Sequence, residues 1–298
     1  MWRALAIIWL LLAPYAASAA SVDDVKAAMA TDDHARSLEL VTPLAEGGDA
    51  EAQYLLGLHY DGGLGTEADP AAALDWFRKA GAQGHGEALR IVGIYYEEGK
   101  AVERDFMQAS KYYEQAAAKN NAKAQRNLAR LYLDGRGVQA DQGKAADLLR
   151  RSAANGNAKA KRNLAYMYYF GAGVPRDLKR AAELFAAAAD DGVGKAEYDL
   201  GRLYYRGQGL DRDLTKAAEL FRSASKRGNP NAQTFLGRMY LLGEGLAADP
   251  GRAYFWLSLA VAQGQDAAAA KLRRAALDKL SDDDVAKLDR EVAAFQPD

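Results

Sequence analysis

Residues 201–213 read GRLYYRGQGLDRD, and what Gly207 and Gly209 are for decides the fold. A glycine-rich turn running into a helix can hold phosphate on its backbone N–H groups, or it can let two helices fold back on one another. The rest of the chain discriminates between these. Tyr-x-x-Gly-x-Gly or a near copy begins at Tyr60, Tyr96, Tyr132, Tyr168, Tyr204 and Tyr240, a spacing of 36 residues without insertion or deletion. Other columns keep the same register: Ala52, Ala88, Ala124, Ala160, Ala196, Ala232; then Asp69, Asp105, Asp141, Asp177, Asp213, Asp249. Six copies over residues 50–265 make a repeat protein. A phosphate cradle would have to occur six times in a row.

Within one copy, Ala124, Leu128, Ala129, Leu131 and Tyr132 fall at helical spacing, as do Ala145, Leu148, Leu149 and Ala153. Each copy therefore reads as two antiparallel helices, with small residues letting the backbones approach and Tyr132 and Leu148 filling the gaps between layers. On that reading Tyr132→Ala removes a large core side chain. The glycines follow the first helix and supply the positive φ that stops it, Ala101 being the one departure among the twelve positions. The aspartate column caps the second helix, and Asp69-Pro70 and Asp249-Pro250 add proline at its first position.

The run Ala160-x-x-x-Leu164-Ala165-x-x-Tyr168-x-x-Gly171-x-Gly173-Val174-x-x-Asp177-x-x-Arg180-Ala181 resembles the Sel1-like repeat, a relative of the tetratricopeptide repeat. The resemblance implies an all-α fold, a right-handed α-solenoid of antiparallel helix pairs with the first helices on a concave face. It also implies an exported bacterial scaffold or adaptor that binds a protein or peptide in envelope regulation or host interaction. A half repeat over residues 20–49 precedes the array, Leu40 matching Leu148 and Gly48 matching Gly156. Residues 266–298 read as capping helices, the last opened by a capping box at Ser281-x-x-Asp284.

Residues 1–19 read as a cleaved signal peptide: Arg3, an apolar run from Ala4 to Ala13, and Ala17-Ser18-Ala19 as the cleavage site. A periplasmic or secreted location is expected, with no membrane span once the leader is removed. Lys plus Arg (39) nearly balances Asp plus Glu (40), so no global field points to nucleic acid. With no cysteine, disulfides, thiol catalysis and thiolate metal sites are excluded.

No catalytic residue, metal site or cofactor is expected. His59 stands in a column otherwise held by Tyr95, Leu131, Met167, Leu203 and Met239, which marks it as a packed residue, and His85 stands at a helix start. Ser223-x-x-Lys226 has the spacing of a penicillin-recognising serine but lacks the companion Ser-Asp-Asn and Lys-Thr-Gly motifs. The chain reads as a non-enzyme, a β-lactam-binding hydrolase being the weakest alternative.

By the tetratricopeptide resemblance, the concave positions of the first helices hold a basic stripe in repeats 3 to 5. The expected partner-binding residues are Arg126, Asn127, Arg130, Arg162, Asn163, Tyr166, Tyr198 and Arg202, with Lys123, Lys159 and Lys195 alongside. The expected partner is a protein or peptide with an acidic segment, bound by a monomer; the alternative is an anionic glycan or cell-wall ligand. A solvated helix face, supported by pairs such as Lys195 with Asp199, is the bland account. Reversing Arg126 and Arg162 is expected to weaken binding with little change in stability.

Overall fold

The computed structural model describes residues 20–264 and 267–298, so the leader assigned to residues 1–19 lies outside the described residues. Sixteen α-helices and no strand occur among them. The fold is an all-α solenoid of antiparallel helix pairs at the 36-residue period.

The chain divides into two compact units, one ending at Arg104 and one starting at Asp105. The first holds α1 (Val22–Ala30), α2 (His34–Glu46), α3 (Ala50–Gly62), α4 (Pro70–Ala82) and α5 (Gly86–Glu98). The second holds α6 (Phe106–Ala118), α7 (Ala122–Asp134), α8 (Gln142–Ala154), α9 (Ala158–Phe170), α10 (Leu178–Asp190), α11 (Gly194–Arg206), α12 (Leu214–Lys226), α13 (Pro230–Leu242), α14 (Pro250–Ala262), α15 (Ala267–Leu277) and α16 (Asp282–Ala294). Within each unit consecutive helices pack on one another up to α15, and α16 returns onto α14.

The repeat explains its own boundaries. Asn121 accepts from the Ala124 N–H and starts α7; Gly135, at φ 65°, stops it by donating its N–H to the Leu131 carbonyl. Asp141 then donates its N–H back to the Tyr132 carbonyl at 3.0 Å, while its carboxylate accepts from Lys144 N–H and starts α8. Of the two glycines in each turn, the first is thus a helix stop. The second does something else. A Cβ on Gly209 would overlap the Leu178 carbonyl at the start of α10, and one on Gly173 would overlap that of Gln142 at the start of α8. The turn of one repeat rests directly on the second helix of the repeat before, so closely at Gly173 and Gly209 that a side chain there would overlap it.

Ala101 occupies the second-glycine position in repeat 2 and keeps its conformation, at φ 56°. A left-handed alanine costs about 1–2 kcal/mol, partly offset because glycine has more freedom to lose from the unfolded chain. Ala101→Gly is therefore expected to raise the urea midpoint by an amount worth about 0.5–1 kcal/mol. An unchanged or lower midpoint would count against strain at this turn.

The large core residues form two columns at the repeat period. His59, Tyr95, Leu131, Met167, Leu203 and Met239 are buried on the first helices; Phe77, Tyr113, Leu149, Phe185, Phe221 and Leu257 are buried on the second. Each such side chain contributes about 1.5–3 kcal/mol by leaving water. Tyr132 is a correction to the sequence reading: it is half-buried, with Lys144 Nζ 5.3 Å from its ring centroid and its hydroxyl reaching Glu114. The core column runs one residue earlier, through Leu131.

His59 is fully enclosed as its column requires. Its Nε2 lies 2.5 Å from Ser37 Oγ and its Nδ1 2.6 Å from the Leu64 carbonyl, and burial holds its pKa below the ordinary value. His85 caps α5, its Nδ1 accepting from Ala88 N–H while Nε2 meets the Glu51 carboxylate at 2.9 Å. At the other end of the chain, Ser281 accepts from Asp284 N–H and starts α16, and Phe295 meets Phe255 and Trp256 edge-on.

Candidate functional site

Three successive first helices of the second unit, α7, α9 and α11, start on the wall of one open cleft of about 900 Å³. Lys123, Lys159 and Lys195 reach it from the second position of each helix, and Arg126, Arg162 and Asn163 from one turn further on. A lysine in the first turn opposes the helix dipole, whose positive end lies there. The first two repeats obey the dipole at the same position with Glu51 and Glu87. The three lysines are exposed, so local helix energetics gives no reason for them. α11 adds a further departure: its cap is Val193, with no side-chain hydrogen bond, where the other repeats use Asp49, His85, Asn121, Asn157 and Asn229.

Asp191 is the acidic residue on this wall, and Lys161 Nζ holds it at 2.6 Å. That pair is the charged form of a structural link found in other repeats. Gln125 donates to the Ala117 carbonyl and accepts from Asn155; Gln233 donates to the Ser225 carbonyl and accepts from Gln263. In repeat 5 the link becomes Glu197 with Arg227 at 3.6 Å. With Asp191 neutralised internally, the cleft presents a cationic surface.

The expected stripe does not stay together. Arg126, Arg162 and Asn163 line the cleft; Tyr166 and Arg202 instead line a small adjoining hollow with Tyr169 and Phe170. Asn127, Arg130 and Tyr198 lie outside both walls. Asn127 is buried, taking a long 3.4 Å contact from Arg126 Nη2, and Arg130 is exposed. Tyr198 is half-buried against Phe221 and Phe235, with the Arg202 guanidinium 5.7 Å from its ring centroid.

Asp199 corrects the sequence reading most. Instead of pairing with Lys195 on a solvated face, it is 3% exposed and accepts from Arg162 Nε at 2.6 Å and from Tyr166 hydroxyl at 2.5 Å. Burial raises its pKa, opposed by those two partners. The Arg162 guanidinium also lies 5.0 Å from the Tyr166 ring centroid, and burial together with Asp199 raises the tyrosine pKa. Arg162 is thus committed to a buried carboxylate, so its reversal strikes the fold as well as the cleft. The signal was present in sequence: Asp199 continues a column of Leu55, Ile91, Asn127, Asn163 and Phe235, which turns polar only in repeats 3 to 5.

Comparison with protein families matches the Sel1 repeat at residues 50–85, 86–121, 122–157, 158–193, 194–229 and 230–265. The chain belongs to the Sel1 repeat family. Among solved structures it is similar to a protective antigen of uropathogenic Escherichia coli strains displaying an SLR fold, at 30% identity and a TM-score of 0.75. That match covers 84% of this chain and 58% of the antigen, so the chain accounts for little more than half of that protein. A Sel1 repeat protein from Oxalobacter formigenes is similar at 29% identity and a TM-score of 0.72, covering 79% of this chain and 94% of the other. No curated protein matches. A Sel1 repeat array is a scaffold fold of the kind that commonly mediates protein interactions. No helix among the described residues is long and apolar enough to cross a membrane.

Proposed function

We propose that this Sel1 repeat protein is an exported, non-enzymatic scaffold of the bacterial envelope that binds a protein segment rich in carboxylates along the cleft over repeats 3 to 5. The observation that carries the reading is the convergence of Lys123, Lys159 and Lys195, with Arg126, from three successive helices onto one wall whose Asp191 is already paired. Residues at the starts of α9 and α11 line the same cleft, and the positive end of each helix dipole favours an anion there. The export part of the proposal rests on the sequence of residues 1–19.

The exposed lysines give the clean test. A fluorescein-labelled octa-glutamate peptide, followed by anisotropy, is expected to bind the double variant Lys159→Glu, Lys195→Glu more than tenfold more weakly than wild type. Wild-type affinity should fall with added salt, because exposed charges are screened over about 8–10 Å. Melting should hardly move, since exposed substitutions change stability by less than about 0.5 kcal/mol. A control reversal of Lys271 and Lys287, exposed on the capping helices, should leave affinity in place. Equal binding by the cleft variant and wild type at low salt would remove the cleft from consideration.

A further inference from the structure

Phe170 ends α9 with 68% of its surface in water. The repeat does not require an aromatic there: the equivalent positions hold Gly62, Glu98, Asp134, Arg206 and Leu242, and the turn that follows is made by Gly171. The ring is held in place even so. It lies parallel to Tyr166 with centroids 6.0 Å apart and meets Tyr169 edge-on at 4.9 Å, while Tyr169 hydroxyl is tied to Gln208 Oε1 at 3.1 Å. Arg202 and Leu203 of α11 close the other side of the hollow. A large, rigid and water-facing aromatic in an ordered wall is the kind of feature that anchors a partner.

The charge around this patch says what covers it. The Tyr166 column carries Arg130 one repeat earlier and Arg202 one repeat later. The carboxylate nearest to Tyr166, Asp199, is buried and already held by Arg162 and Tyr166 itself. The Phe170 column carries Asp134 one repeat earlier, paired with Arg136 at 3.8 Å, and Arg206 one repeat later. Positive charge therefore predominates around the apolar surface and complements an apolar side chain flanked by acidic residues. We infer that Phe170, with Tyr166 and Tyr169, anchors an apolar side chain of the same protein segment whose carboxylates occupy the cleft. This inference rests on the cleft reading given above. It also fixes a spacing: Lys159 and Phe170 stand on one helix about 16 Å apart at 1.5 Å per residue. An extended peptide crosses that distance in about five residues.

The test uses fluorescein-labelled peptides carrying four aspartates, a Gly-Ser spacer of two to eight residues, and one phenylalanine, in both chain directions, each with a serine-for-phenylalanine control. With the full chain, the phenylalanine peptide of about four to five spacer residues is expected to bind roughly tenfold tighter than its control. In Phe170→Ser that ratio should fall to near one. Phe170 is exposed, so the variant is expected to fold, which circular dichroism checks. If phenylalanine gives no advantage at any spacing, or the advantage survives in Phe170→Ser, the anchor is overturned while the cleft stands. If the aspartate peptides bind wild type and the Lys159→Glu, Lys195→Glu variant alike, or bind neither, the cleft reading fails and takes the anchor with it. Sedimentation velocity covers the remaining occupant: a wild-type dimer that Phe170→Ser abolishes would assign the patch to a second copy of this chain and overturn the inference.

Discussion

Replacing Gly209 with alanine is expected to destabilise the second unit by about 2–5 kcal/mol. The left-handed backbone alone costs an alanine about 1–2 kcal/mol. The new methyl group would also overlap the Leu178 carbonyl, and forcing atoms into a packed contact costs about 1–3 kcal/mol more. Gly192 supplies the comparison. It too is left-handed, at φ 83°, but a Cβ there meets nothing within 4 Å, so Gly192→Ala should show only the backbone cost of about 1–2 kcal/mol. Urea unfolding of the two variants side by side measures the difference. Amide exchange should rise first around α10 and the turn after α11, because contacts in a repeat array are made between neighbours. Equal losses for the two variants would mean that the turn does not bear on the helix of the preceding repeat.

Arg162→Ala is expected to cost about 3 kcal/mol at neutral pH, the lower end of the range for breaking a buried ion pair, since Arg162 keeps about a quarter of its side chain in water. Asp199 is left with Tyr166 as its hydrogen-bond donor, and its already raised pKa climbs further. Above that raised pKa the folded state carries the penalty of a buried charge. As pH falls through it, the folded chain takes up a proton that the unfolded chain, with its carboxylate near 3.8, does not yet bind. The stability gap between Arg162→Ala and wild type should therefore narrow as pH falls from 7 towards the unfolded carboxylate's 3.8. Asp199→Asn removes the charge and keeps the acceptor for Tyr166, so the double variant with Arg162→Ala should recover most of the loss and show no such narrowing. Melting curves across that pH range decide it; a gap that stays constant throughout would mean Asp199 is not the group left unpaired.

Both expectations concern residues whose local pattern was visible and whose partners were not. The 36-residue register of tyrosine, glycine, aspartate and alanine determined the helix pairs, their caps and the family, because caps and helix stops depend on residues a few positions apart along the chain. It also placed His59 in the core and located the basic repeats, since a column that departs from its neighbours can be read without coordinates. Tertiary structure alone decided what lies across from each column. The second glycine, in the five turns that have one, lies against a helix start 31 residues earlier in sequence, as Gly209 lies against Leu178. Arg162 meets Asp199 from the following repeat rather than Lys195 meeting it within one helix. Stacking also splits the expected stripe into a cleft at the helix starts and an aromatic hollow at their ends. Periodicity reports which residues share a face, whereas burial and ion pairing depend on which face of the next repeat is pressed against it.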